Sequence, residues 1–420
     1  MHPGQPRRVL VFEPEYIGHQ PAYVRMLAEW LRARNHPVRV TFAVSAPLLG
    51  RLRIEDGLDL AAQPGVDVVV MDDAAAKGCW TGPIYRRSFH RMQLLGDLLR
   101  QASASHAVAL FLDPLQLALA LGLRLPDGAR LSGILFRPSI HAVYGDSKGA
   151  SAGERLRDSR KQLLYRLMLR NAALERVLSL DPYFPAFAEA KLAARGRVVE
   201  LPDPVVSTPE VVEASVVGAD LQTACKDGRV VFSLFGALTD RKGVLQVVDA
   251  VTALASSVRT GIRVVLAGKV DPQIADALTQ RAAALSAAAG GGGSLRIVDR
   301  YLTTVELAWL VQRSDALLAP YQRFVGSSGV LTWAAGARRP VIAQDYGLIG
   351  ALVRDYRLGL AIDTTDPTEI AVAMAVFADR ERLKAAARSA RWTDFCAGRS
   401  AGEFAAGVLG PLVAQAEPRA

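Results

Sequence analysis

The residues best suited by type and spacing to chemistry form a polar, glycine-bearing loop near the C-terminus, Gly326-Ser327-Ser328-Gly329, followed by Val330. The loop lies between a strand-like run of small apolar residues, DALLAPY, and an apolar helical stretch. Where a strand's carboxyl end meets a helix start, free backbone N–H groups and the positive end of the helix dipole converge, so an anion is the favoured guest. Ser327 or Ser328 is suited to cap the helix, and Gly329 lets a ligand come close to the backbone. Gly336 is expected to close the helix, and Pro340-Val-Ile-Ala to begin the next strand. Taken alone, such a loop is also what any well-capped helix looks like, so the rest of the chain decides its meaning.

The elements that must position the loop recur in two series. The first has strand-like runs at residues 8–13, 37–45, 66–73, 106–113, 131–138, 176–181 and 197–203, and the second at 230–238, 263–268, 295–302, 315–321, 340–345 and 358–363. Helical stretches separate them. Short apolar strands alternating with helices predict α/β domains, each a parallel sheet with helices on both faces. The pattern loosens over residues 202–224, where prolines and turn formers mark the connection between domains. The expected division is 1–205, 206–390 and a helical segment, 391–420, that packs back toward the first domain. Asp366-Pro367-Thr368-Glu369 has the order of a helix N-cap, an N1 proline and an N3 acid.

Ligands of parallel sheets bind outside the carboxyl ends of the strands. On the first domain this rim carries Gly18-His19-Gln20, Asp113-Pro114 and Arg137-Pro138-Ser139-Ile140-His141.

Composition narrows the classes. Half of the 420 residues are hydrophobic and 22% are charged, which describes a globular protein. The apolar runs are strand-sized and fall short of the roughly 20 residues of a membrane span. Glu13 interrupts the first apolar run after four residues and no cleavage site follows, so the chain reads as cytoplasmic rather than exported. Cys79, Cys225 and Cys396 fit neither a metal nor a disulfide pattern. The net charge of +9 suits nucleic acid, an anionic membrane or phosphorylated substrates, or reflects an arginine-rich coding bias. No helix-turn-helix, zinc or RNP pattern is present, so nucleic acid is not an expected partner.

Two stretches differ from the alternation. Residues 148–176 carry Lys148, Arg155, Arg157, Arg160, Lys161, Arg166, Arg170 and Arg176, with Leu156, Leu163, Leu164, Leu167, Met168 and Leu174 as an expected apolar face. This is either a solvated helix packed by its leucines or a basic amphipathic helix that lies on an anionic membrane. The four glycines at 290–293 read as a surface turn rather than a phosphate loop.

Phe235-Gly236-Ala237-Leu238-Thr239-Asp240-Arg241-Lys242-Gly243 resembles the first strand, loop and helix of the C-terminal domain in retaining family 4 glycosyltransferases. The stretch SSGVLTWAAGARRPVIAQDYGLIG resembles their donor-binding unit. The resemblance implies a GT-B fold, two Rossmann-like domains facing across a cleft, with glycosyl transfer as the activity. A nucleotide-diphosphate sugar would be the donor, and the acceptor would be a glycan, a lipid-linked sugar or a small molecule. Arg241 and Lys242 would neutralise the departing diphosphate together with the serine loop. Tyr301 would pack against the base, Gly18 and His19 match the glycine loop over the diphosphate, and Arg137 or His141 falls where the family places a histidine.

The chain also departs from the family. The family's paired glutamates, just before and within the donor helix, are absent, with Val325 and Trp333 near their places, and the arginine usual after the strand glycine is Ala237. Ser327, Ser328 or backbone groups would then have to meet the donor sugar. No Asp-x-Asp motif closes a strand, so no metal or other cofactor is expected. An epimerase or hydrolase of nucleotide sugars, or a binding protein that has lost turnover, stays open at this point.

Overall fold

Along the first strand Leu10 and Phe12 are buried on one side and Val9 and Val11 on the other, as a strand covered on both faces requires. The computed structural model describes residues 7–33, 38–144, 152–206, 213–225, 228–288 and 292–414. The chain divides into two compact units, residues 1–203 with 398–420 and residues 204–397.

The first unit is built on seven parallel strands: β1 (Arg7–Glu13), β2 (Val38–Ser45), β3 (Val66–Met71), β4 (His106–Ala109), β5 (Arg130–Leu135), β6 (Leu174–Ser179) and β7 (Val198–Glu200). Their order is β3-β2-β1-β4-β5-β6-β7, so the winding reverses between β1 and β4. The returning helix Ala401–Ala414 packs on the helix Gln20–Arg32, with the rings of Tyr23 and Phe404 4.4 Å apart. The Tyr23 hydroxyl donates to Asp203 Oδ1 at 2.7 Å. The helix Trp392–Cys396 precedes that return and belongs to the second unit.

The second unit holds six strands, β8 (Val230–Phe235), β9 (Ile262–Ala267), β10 (Leu295–Val298), β11 (Ala316–Ala319), β12 (Val341–Gln344) and β13 (Gly359–Ile362). The order β10-β9-β8-β11-β12-β13 reverses between β8 and β11. In both units the reversal opens a crevice at the strands' carboxyl ends, the place where open α/β sheets take ligands.

Three expectations need correction. Gly336 does not close its helix: Gly329–Ala337 runs through it and ends at Arg338, which adopts the left-handed conformation (φ +51°). The glycine serves close packing instead, since a Cβ there would lie 2.1 Å from the Val206 carbonyl oxygen. The basic segment forms the helix Ala152–Arg170, but Tyr165, Met168 and Leu169 anchor it, whereas Leu156, Leu163 and Leu167 are exposed. The leucines drawn above as its packing face are therefore divided between solvent and core. The run 106–113 is strand only to Ala109; the chain enters a short helix at Asp113–Leu115, and the Asp113 carboxylate accepts from the N–H groups of Phe136 at 2.9 Å and Arg137 at 3.0 Å. Lys148 and the first two glycines of the 290–293 run lie outside the described residues.

Candidate functional site

Two loops meet where the second sheet reverses. One leaves β8 at Gly236, whose φ of +88° suits a residue without a side chain. It turns through the short helix Asp240–Lys242 and enters the helix Val244–Ala253 at Gly243. A side chain at Gly243 would strike the Pro320 carbonyl at 2.1 Å, so glycine there lets the two loops touch. The Gln322 N–H donates to the Arg241 carbonyl at 2.9 Å and joins them directly.

The other loop leaves β11 and runs to the helix Gly329–Ala337. The rings of Tyr321 and Phe324 stack 5.2 Å apart, and the Arg241 guanidinium lies 4.7 Å from the Phe324 ring centre and 5.8 Å from that of Tyr321. This cation–π contact holds an otherwise exposed arginine at the crevice. Gln344, buried at the end of β12, accepts from the Phe324 N–H at 3.0 Å and donates to the Phe324 carbonyl and, at 2.7 Å, to that of Tyr346. Thr364 donates to the Tyr321 carbonyl at 2.8 Å and accepts through its own carbonyl from Gln322 Nε2 at 2.9 Å.

Lys242 folds back over Gly236 and donates from Nζ to the Phe235 carbonyl at 2.5 Å. Burial, and then the neighbouring charge of Arg241, lower its pKa to about 8. Ser328 is the helix cap: its Oγ accepts from the Val330 N–H at 3.2 Å and sits 2.8 Å from the Tyr321 hydroxyl. Val330 and Gly326 are buried, whereas Ser327 and Gly329 remain half-buried beside the helix start. Trp333 packs edge-on against Phe235, with centroids 6.3 Å apart.

Gly236, Arg241, Lys242, Gly326, Ser327, Ser328, Gly329 and Val330 thus lie on two touching loops, which can surround a doubly charged anion with two cations and a helix start. Tyr301 does not join them. It follows β10, two strands from β8, and is 76% exposed. Its neighbour Arg300 is taken up by Asp220 (2.9 Å) and Glu306 (2.7 Å), and that arginine first, against burial, holds the Glu306 carboxyl down to about 2.

In the first unit Gly18 turns with φ +89°, and His19 precedes the helix Gln20–Arg32 with its ring stacked on Tyr23 at 6.1 Å. Arg137 is exposed, and its carbonyl accepts from the Tyr165 hydroxyl at 3.1 Å. His141 opens the turn His141–Tyr144, and its side chain lies outside the described residues. Burial lifts the Asp113 carboxyl to about 6.

Sequence reasoning missed two groups. Phe324 and Gln344 stand behind Arg241, and the only signal for them was a glutamine closing the apolar strand VIAQ. Glu13, Glu15 and Arg91 gather at the end of β1, where two acids beside an apolar strand, FEPE, could have been noticed.

Residues 229–379 match the family model for glycosyl transferases group 1. No curated protein matches the chain significantly. Among solved structures it is similar to WaaG, a glycosyltransferase involved in lipopolysaccharide biosynthesis, at 15% identity over 96% of this chain and 100% of that one, TM-score 0.62. It is similar to the sucrose-phosphate synthase of Thermosynechococcus elongatus, at 16% identity over 97% and 98% of the two chains, TM-score 0.65. It is also similar to Anabaena HepE in complex with UDP and glucose, at 15% identity over 97% and 100%, TM-score 0.63. The two doubly wound units share the GT-B fold of these solved structures, and the second unit carries a glycosyl transferases group 1 domain around the β8–β11 crevice.

Proposed function

We propose that the nucleotide-sugar donor places its diphosphate between the Gly236–Lys242 loop and the helix start at Ser327, Ser328 and Gly329, and that the acceptor hydroxyl is glycosylated with retention. The observation that carries this reading is the Gln322–Arg241 hydrogen bond, which brings a cationic loop and a helix start to one crevice. Arg241 and Lys242 stabilise charge as the glycosidic oxygen departs with the diphosphate, so the donor's charge is met without a metal ion. Ser328 is committed to capping, which leaves Ser327 and backbone N–H groups to meet the donor sugar. Tyr301, the exposed aromatic after β10, packs against the base. In the first unit, which takes the acceptor, Gly18 and His19 are the donor-binding candidates and Arg137 and His141 the catalytic ones.

Thermal stability against UDP, GDP, ADP and dTDP, in the wild type and in Lys242→Ala, tests the reading, because a ligand of the folded state raises the midpoint by mass action. A shift with one nucleotide that vanishes in the variant is expected, in the presence and absence of EDTA alike. No shift with any nucleotide would overturn it.

The acceptor is membrane-borne, and the chain docks peripherally from the cytoplasmic side through the helix Ala152–Arg170. What supports this is an exposed stripe of Leu156 (55% exposed), Arg160, Leu163 (56%), Leu167 and Arg170, at helical spacing and mixing apolar with basic groups. No helix among the described residues is long and apolar enough to cross a membrane. Sedimentation with anionic vesicles should fall when Arg157 and Arg160 are replaced by Glu; unchanged sedimentation would remove membrane docking.

A further inference from the structure

The reversal between β1 and β4 in the first unit holds a charged cluster that the donor chemistry does not use. Arg91, on the helix Ile84–Ala102, is buried and donates from Nε to the Cys79 carbonyl at 2.8 Å and from Nη2 to Glu15 Oε1. Its guanidinium lies 5.8 Å from the Phe111 ring centre, and Nη1 has no hydrogen-bond partner. Glu13, fully buried, accepts from the Glu15 N–H at 2.8 Å through Oε1, while Oε2 has no partner. Burial, and then the Glu15 carboxylate, raise the Glu13 carboxyl to about 8.

Unmet buried donors and acceptors are costly, and apolar side chains could fill the same space without that cost. What the cluster achieves is placement. Arg91 ties the loop after β1, which carries Glu15 and Tyr16, to the turn at Cys79 and Trp80. Tyr16 packs against the core on one sheet face and Trp80 against the core on the other, yet their rings meet edge to face 6.0 Å apart. The pair therefore closes over the carboxyl end of β1. Both rings are half-buried, and the Glu15 side chain is 24% exposed against 2% for Arg91.

We propose that Glu15, Tyr16 and Trp80 form a subsite for a neutral, hydroxyl-rich sugar ring of the acceptor, with Arg91 and Glu13 as its positioning residues. An aromatic face suits the C–H side of a pyranose, and a fixed carboxylate accepts from its hydroxyls. The Glu15–Arg91 pair carries no net charge, so the place has no field to draw a phosphate, a metal or an amine. The inference rests on the reading that the first unit takes the acceptor.

Saturation-transfer NMR of the full chain with the methyl glycosides of glucose, galactose and mannose tests it, on samples whose nucleotide-induced thermal shift is also recorded. At least one glycoside should give ring-proton signals that fall about fivefold in Trp80→Leu, the loss of one stacking contact. They should weaken in Glu15→Gln and persist in Trp80→Phe, with the nucleotide shift unchanged throughout. No signal from any of the three, or signals unchanged in both Trp80→Leu and Glu15→Gln, would overturn the subsite. Loss of the nucleotide shift in the wild type would instead count against the donor reading, and the glycoside signals would still decide the subsite.

Discussion

Lys242 Nζ lies 2.5 Å from the Phe235 carbonyl oxygen, on the side of Gly236 where any other residue would carry its Cβ. The amine is thus stored against the end of β8, held by one neutral acceptor and crowded by Arg241.

That environment makes nucleotide affinity depend on pH. Lys242 titrates at about 8 in the free protein, and a diphosphate favours the protonated form. Affinity measured by calorimetry, with the nucleotide that gives the thermal shift, should fall as pH rises through about 8, by up to about tenfold per unit. Lys242→Arg, which stays charged, should show no such slope. Stability has the opposite sign: between about 8 and the ordinary value of 10.5 only the unfolded chain keeps the proton, so the free protein gains stability there as pH rises.

Gly236→Ala tests the storage position. Its Cβ would lie 2.6 Å from Lys242 Nζ, on a backbone with φ +88°. We expect a stability loss of about 1–2 kcal/mol by denaturant unfolding and a drop in nucleotide affinity comparable with that of Lys242→Ala. Gly261→Ala, where nothing lies within 4 Å, is the control and should leave affinity unchanged.

Glu13 makes the stability of the chain depend on pH in a different window. Its folded value of about 8 exceeds the ordinary 4.5, so its contribution is complete below about 4.5 and is lost as pH rises toward 8. Unfolding followed between those limits should show stability falling with pH, by at most about 1.4 kcal/mol per unit from this group. Glu13→Gln should remove that component, seen as the difference between the two unfolding curves.

Much of the architecture was legible in residue order. Apolar strands alternating with helices announced two parallel sheets, and Gly236 with Lys242-Gly243 and the serine loop marked the carboxyl ends of β8 and β11. The Asp366 cap and the start of the helix at Gly329 follow from local hydrogen bonding, which spacing along the chain records directly. Loop ends were less legible: Gly336 looked like a terminator because glycine serves both left-handed caps and close packing, and only the Val206 carbonyl against it distinguishes the two.

The sequence by itself determined the order of the elements and the chemistry of the serine loop, because these depend on periodicity and on neighbours a few residues apart. Tertiary structure alone decided that Arg241 rests on Phe324, that Gln344 holds Phe324, that Leu156 and Leu163 face solvent, and that Arg91 reaches Glu15 across 76 residues. Each of these joins residues far apart in the chain or divides one helix between core and solvent. Such contacts are chosen by how the helices and loops stack on the two sheets, and the one-dimensional pattern does not carry that packing.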